Sequence, residues 1–126
     1  MAEQTIALEQ PILSRNERLA TELRDRFART GTYVVNVLSS PGSGKTSTIL
    51  ATNERLAARG LRCAVIEGDI ASDVDAVRMK EAGMPAIQIN TGGLCHLEGN
   101  MIGQAVDAFD DAVGLDAIDV IFIENV

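Results

Sequence analysis

The chain has little with which to crosslink itself or enter a bilayer. Its 126 residues include two cysteines, one histidine, three prolines, no tryptophan and 3% aromatics. Two thiols, Cys63 and Cys95, do not make a disulfide framework, which argues against a small secreted, stapled scaffold. No apolar run approaches membrane length; Val120 to Ile123 is typical of the longest. The opening MAEQTIALEQ is acidic and lacks the basic region of a secretory signal, so the cytoplasm is the expected location. Basic residues are scarce in the second half. Residues 63–126 hold two, against twelve acidic ones, and the whole chain carries a formal charge of −7. Such a surface repels phosphodiester backbones and suits cations, so neither nucleic acid nor membrane is an expected partner.

What is present is enough apolar material for one small domain, 46% of the residues. The first thirteen residues lack a clear period and contain Pro11, which predicts a loose arm (1–13) before one domain over 14–126. Ser14 and Glu17 form an S-x-x-E capping box, Leu19, Leu23 and Phe27 recur every fourth residue, and Gly31 suits a left-handed cap, so a helix is expected between them. Tyr33 to Leu38 reads as a strand buried on both faces. A helix follows from about Lys45 to Gly60, a strand over Cys63 to Ile66, and a polar loop over Glu67 to Asp73. A short helix around Ala76 to Glu81, a strand over Ala86 to Ile89, and an amphipathic segment through Leu97, Met101, Ala105 and Phe109 come next. A fourth strand, Val120 to Ile123, closes the pattern. Strands alternating with helices predict an α/β fold, a mostly parallel sheet with helices on both faces.

Between the first strand and its helix lies Ser39-Ser-Pro-Gly-Ser-Gly44-Lys45-Thr46. The phosphate-cradling pattern is Gly, four residues, then Gly-Lys-Ser/Thr, with serine here in the first glycine slot. Gly42 and Gly44 give the turn its conformational freedom, and Ser43 and Ser47 flank the helix start, where free NH groups and the helix dipole meet an anion. Lys45 would reach the β and γ phosphates and the Thr46 hydroxyl would hold Mg²⁺. Magnesium needs further oxygens; Asp69, after the second strand, and Glu124, after the fourth, are the candidates, with Asp75 in reach of the same loop. Ordinary loop carboxylates are the competing reading of each. Cys95 and His96, side by side before the last helix, are soft ligands suited to Ni²⁺ or Zn²⁺, though one pair needs partners from elsewhere or from a second subunit. A buried thiol and a capping imidazole are the plain alternative. Cys63, inside an apolar strand, reads as core.

SSPGSGKT, VIEGDIASDVDAVR, PAIQINTGGLCHLEGNMI and FIENV together resemble the hydrogenase nickel-incorporation GTPases, the HypB family, a group that also takes in urease accessory and signal-recognition GTPases. The resemblance covers nearly everything after Ser14. It implies a P-loop NTPase fold and a metallochaperone that binds and hydrolyses GTP. Such a protein dimerises in the nucleotide-bound state and works with hydrogenase maturation factors to deliver nickel to the hydrogenase large subunit. By position, Lys45, Asp69 and Glu124 become catalytic candidates. Gly42, Ser43, Gly44, Lys45, Thr46 and Ser47 become nucleotide contacts, Thr46, Asp69 and Asp75 serve Mg²⁺, and Cys95 with His96 bind nickel or zinc at the subunit interface. The family's glycine after ENV, its later cysteine and its Asn-Lys-x-Asp base-reading motif are absent from these residues, as are an amino-terminal cysteine motif and a histidine-rich tract. The expectation is therefore the front part of a longer domain. On that view Val120 to Ile123 would lie near the centre of the full sheet and end as an open apolar edge, prone to self-association. Two other readings stay open: a P-loop kinase or ATPase of different function, and a non-catalytic metal-binding or dimerisation fragment.

Overall fold

A computed structural model describes residues 2–38, 44–68, 73–89 and 99–124. The element order is α1 (Ala2–Thr30), β1 (Tyr33–Val37), α2 (Lys45–Ala58), β2 (Cys63–Glu67), α3 (Asp73–Glu81), β3 (Ala86–Gln88), α4 (Gly99–Val113), a 3₁₀ turn (Leu115–Ala117) and β4 (Val120–Glu124). The four strands form one parallel sheet in the order β1-β4-β2-β3.

Side chains alternate across this sheet with a period of two, as strand geometry requires. In β2 and β4, Ala64, Ile66, Ile121 and Ile123 face one core cluster, which takes Ala105, Val106 and Phe109 from α4 and Leu23 and Phe27 from α1. Cys63, Val65, Val120 and Phe122 face the other, with Ile49 from α2 and Met79 from α3. Helices therefore cover both faces, and the every-fourth-residue spacings of α1 and α4 are the stripes that pack. Each fully buried side chain of this size removes apolar surface from water worth about 1.5–3 kcal/mol.

Four expectations are corrected. The first helix begins at Ala2, well ahead of Ser14, and takes in the stretch expected to be a loose arm; the Ser14–Glu17 box lies within it. Alanine, glutamate, glutamine and leucine dominate that stretch, and their helix propensity opposes the cost of Pro11, about 3 kcal/mol in a helix interior. Second, β1 is an edge strand of the described sheet and only half-buried, with Tyr33 69% exposed. Third, β4 lies inside the sheet, as expected, but is no open edge: it pairs with β1 on one side and β2 on the other, which removes the basis expected for self-association through β4. Last, Glu67 does not begin the polar loop. It ends β2, buried, and α3 starts at Asp73.

Candidate functional site

Because all four strands are parallel, their carboxyl ends meet on one side, where open α/β sheets bind ligands. Val37, Glu124 and Glu67 stand in register there, on β1, β4 and β2. Gly44 precedes α2 with φ 91° and ψ 23°, a left-handed conformation. A Cβ at Gly44 would meet nothing within 4 Å, so the dihedral, not crowding, calls for glycine. Gly44 anchors the first turn through its carbonyl, which accepts from the Thr48 N–H and the Thr48 hydroxyl, both at 2.9 Å. The N-cap residue, Gly44, brings no side-chain cap, and the first turn, Lys45 to Thr48, holds no acid. The positive dipole end of α2 therefore meets no acid of its own first turn, and an anion there would be favoured.

Lys45 is buried, 7% exposed, as the first residue of α2. Thr46 is half-buried and its Oγ1 donates to Glu124 Oε1 at 3.1 Å. That bond joins residues 78 apart in sequence and links the start of α2 to the end of β4. Ser47 and Gly44 are exposed. A hydroxyl beside a carboxylate is a pair of hard oxygen donors, and oxygen donors suit Mg²⁺. Thr46 and Glu124 therefore fit that ion, as the residues that would hold it.

The structure brings together Gly44, Lys45, Thr46 and Glu124. Gly42, Ser43, Asp69, Cys95 and His96 lie outside the described residues, and for Asp75 the description extends to the backbone of α3 alone. Cys63 is core: 5% exposed on β2, its thiol pushed up by burial and by the Asp119 charge, an inert environment for a cysteine. Sequence reasoning missed Glu67, which is 1% exposed at the register position beside Glu124. The signal was there: an acid directly after the apolar run CAVI, in the place Glu124 holds after VIFI.

Comparison with known proteins matches this geometry. The sequence profile of the CobW/HypB/UreG nucleotide-binding domain matches residues 33–126. The chain is 48% identical over 121 residues to hydrogenase maturation factor HypB of Azotobacter vinelandii, covering 96% of this chain and 38% of that protein. It is 40% identical over 127 residues to hydrogenase/urease maturation factor HypB of Helicobacter pylori strain J99, covering 100% and 51%. The crystal structure of HypB from Helicobacter pylori in complex with nickel superimposes with a TM-score of 0.78 at 39% identity, over 89% of this chain and 51% of that one. The chain thus spans between 38% and 51% of the length of these relatives. With the strand, the glycine turn, the buried lysine and the threonine–glutamate pair in the places that the profile covers, the chain belongs to the CobW/HypB/UreG nucleotide-binding domain family.

Proposed function

We propose that this chain is the nucleotide-binding part of a GTP-hydrolysing nickel metallochaperone for hydrogenase maturation. The observation that carries the reading is the Thr46–Glu124 hydrogen bond at 3.1 Å, next to buried Lys45 at the start of α2 after the left-handed Gly44. The substrate is GTP and the reaction is phosphoryl transfer to water. Backbone amides of Gly42, Ser43 and Gly44 and of the first turn through Ser47 cradle the phosphates, and Lys45 binds the β and γ oxygens. Thr46, Glu124, Asp69 and Asp75 supply oxygens for Mg²⁺, which when bound neutralises charge on the phosphates. No glutamine or arginine is assigned to orient water or to stabilise the transferring group, so slow intrinsic turnover is expected. Nickel or zinc is held by Cys95 and His96, and a nucleotide-dependent homodimer contributing the pair twice completes four ligands. The hydrogenase large subunit and other maturation factors are the proposed partners, in the cytoplasm; no helix of the described residues is long and apolar enough to cross a membrane.

Titration with GTP, ATP and Ni²⁺, before and after Cys95→Ala, tests this. Preference for GTP together with nickel binding that is lost in the variant is the expected outcome. ATP preference with unchanged metal uptake would overturn it in favour of another P-loop kinase or ATPase, and metal binding without any nucleotide would leave a non-catalytic metal-binding module.

A further inference from the structure

The amino end of the sheet holds a cavity of about 300 Å³, between α2, the start of β2, the turn from α3 into β3 and the segment after α4. Its wall is mainly apolar, built from Ala57, Leu61, Pro85, Val113 and Ile118. Leu61 is 36% exposed and Val113 48%, two of the five large apolar side chains that the described residues leave at the surface, so its border is apolar as well. Two charges stand nearby. Arg62 is exposed and borders the cavity; the Asp119 carboxylate accepts from the Arg62 N–H at 2.8 Å, and its charge reaches Cys63. They are opposite in sign, so the local field selects neither a cation nor an anion.

One neutral polar side chain is buried in that wall. Lys45, Ile49 and Asn53 form the buried stripe of α2 at every fourth residue, and Asn53 borders the cavity at 7% exposed. Its Nδ2 donates to the Ala82 carbonyl at 3.4 Å, longer than the usual 2.7–3.2 Å of an N–H···O bond. A carboxamide oxygen can accept two hydrogen bonds, and no described group donates to Asn53 Oδ1. That oxygen is not sealed away from open space. A buried acceptor without a donor is costly, so a molecule that brings one is favoured there. We propose that this cavity binds a small, neutral, largely apolar molecule carrying one N–H or O–H donor, its body against Leu61, Pro85 and Ile118 and its donor on Asn53 Oδ1. The volume, at the low end for ligand pockets, limits the occupant to about the size of a bicyclic ring. The site is separate from the nucleotide site: Asn53 lies about 12 Å beyond Lys45 along α2.

Indole is the probe, and 1-methylindole, which keeps the ring and lacks the N–H, is its control. Titrated into the isotope-labelled 126-residue chain, indole should move the amide resonances of Cys63, Gly83 and Ile118 and leave those of Thr46 and Thr48 in place. Indole should bind about fivefold more tightly than 1-methylindole, the scale of one net hydrogen bond. Asn53→Leu should erase that preference while both probes still bind. Ala57→Leu, which fills the cavity from α2, should abolish binding of both. If Asn53 served only to hold the Ala82 carbonyl, the two probes would bind the unsubstituted chain equally, and that result would overturn the proposal. So would resonances of Cys63, Gly83 and Ile118 that stay in place at the solubility limit of indole. Shifts confined to Glu54 and Glu81, which border the separate groove between α2 and α3, would overturn it too. If Asn53→Leu does not melt cooperatively, the preference in the unsubstituted chain and the Ala57→Leu titration decide.

Discussion

The two ends of the parallel sheet solve the same problem in opposite ways. Every strand end presents polar backbone that must be answered. At the amino end the chain answers it with its own groups, a neutral buried hydroxyl and a partly exposed carboxylate. The buried Thr32 hydroxyl contacts the Ile118 carbonyl at 3.0 Å, the Leu115 carbonyl at 3.3 Å and the Thr30 hydroxyl at 2.8 Å, and the Asp119 carboxylate accepts from the Arg62 N–H at 2.8 Å. Beside them lies a pocket of about 300 Å³ bordered by Cys63, Pro85, Val113 and Ile118. At the carboxyl end the buried groups of the described residues are charged, and the N-cap of the helix beside them is a glycine without a side chain. Stability alone favours the first arrangement, because buried ion groups rarely repay their desolvation. Charge is kept where a charged ligand is to be met.

Substitutions can break this contrast in graded steps. Removing material that supports both ends should cost most. Phe109 is 2% exposed in the cluster shared by α1, α4, β2 and β4, and Phe109→Ala should lower unfolding free energy by about 3–5 kcal/mol in denaturant titration. Lys45→Met strikes the carboxyl end alone. On the proposed reading Lys45 binds phosphate; loss of a buried charge that pairs with ligand costs about 2–5 kcal/mol, so nucleotide affinity by calorimetry should fall about a hundredfold. Thr32→Val strikes the amino end alone: unfolding free energy should drop by about 1–2 kcal/mol with nucleotide affinity unchanged, and a matching loss of affinity would show the ends to be coupled.

The smallest effect belongs to Asp110, on the surface between α4 and α1. Its carboxyl is held below the ordinary range, first by the Leu115 N–H that donates to it at 2.8 Å and then by the Arg26 guanidinium, which also pairs with Asp107. A carboxyl with a depressed folded pKa adds stability above its unfolded value, about 3.9, and loses it as pH falls through the lower folded value. The Tm gap between the unsubstituted chain and Asp110→Asn should therefore be small near neutral pH and close in strong acid. A gap that widened in acid would reverse the sign. Added salt should narrow the part contributed by the exposed Arg26 pairs.

The local order of this protein was legible from its residues because short-range rules govern it. Period-four apolar spacing gave α1 and α4 their buried stripes, apolar runs marked β2 and β4, and Gly31, Gly60 and Gly83, all at positive φ, stand where the helices were expected to stop. The turn of Gly44 and Lys45 was likewise readable, since its chemistry depends on neighbours in sequence. Reading failed where the answer depended on which strands become neighbours. Nothing local distinguishes VVNV from VIFI as edge and centre, yet β1 lies at the edge and β4 between two partners. Nor does sequence place Glu67 beside Glu124, or Glu124 within 3.1 Å of Thr46, because strand order and register are set by the packing of helices on both faces. The residues by themselves determined which segments fold and which turn can face an anion. Only the assembled sheet decided which carboxylates stand beside that turn, since burial, and the electrostatics that burial amplifies, are properties of the packed whole.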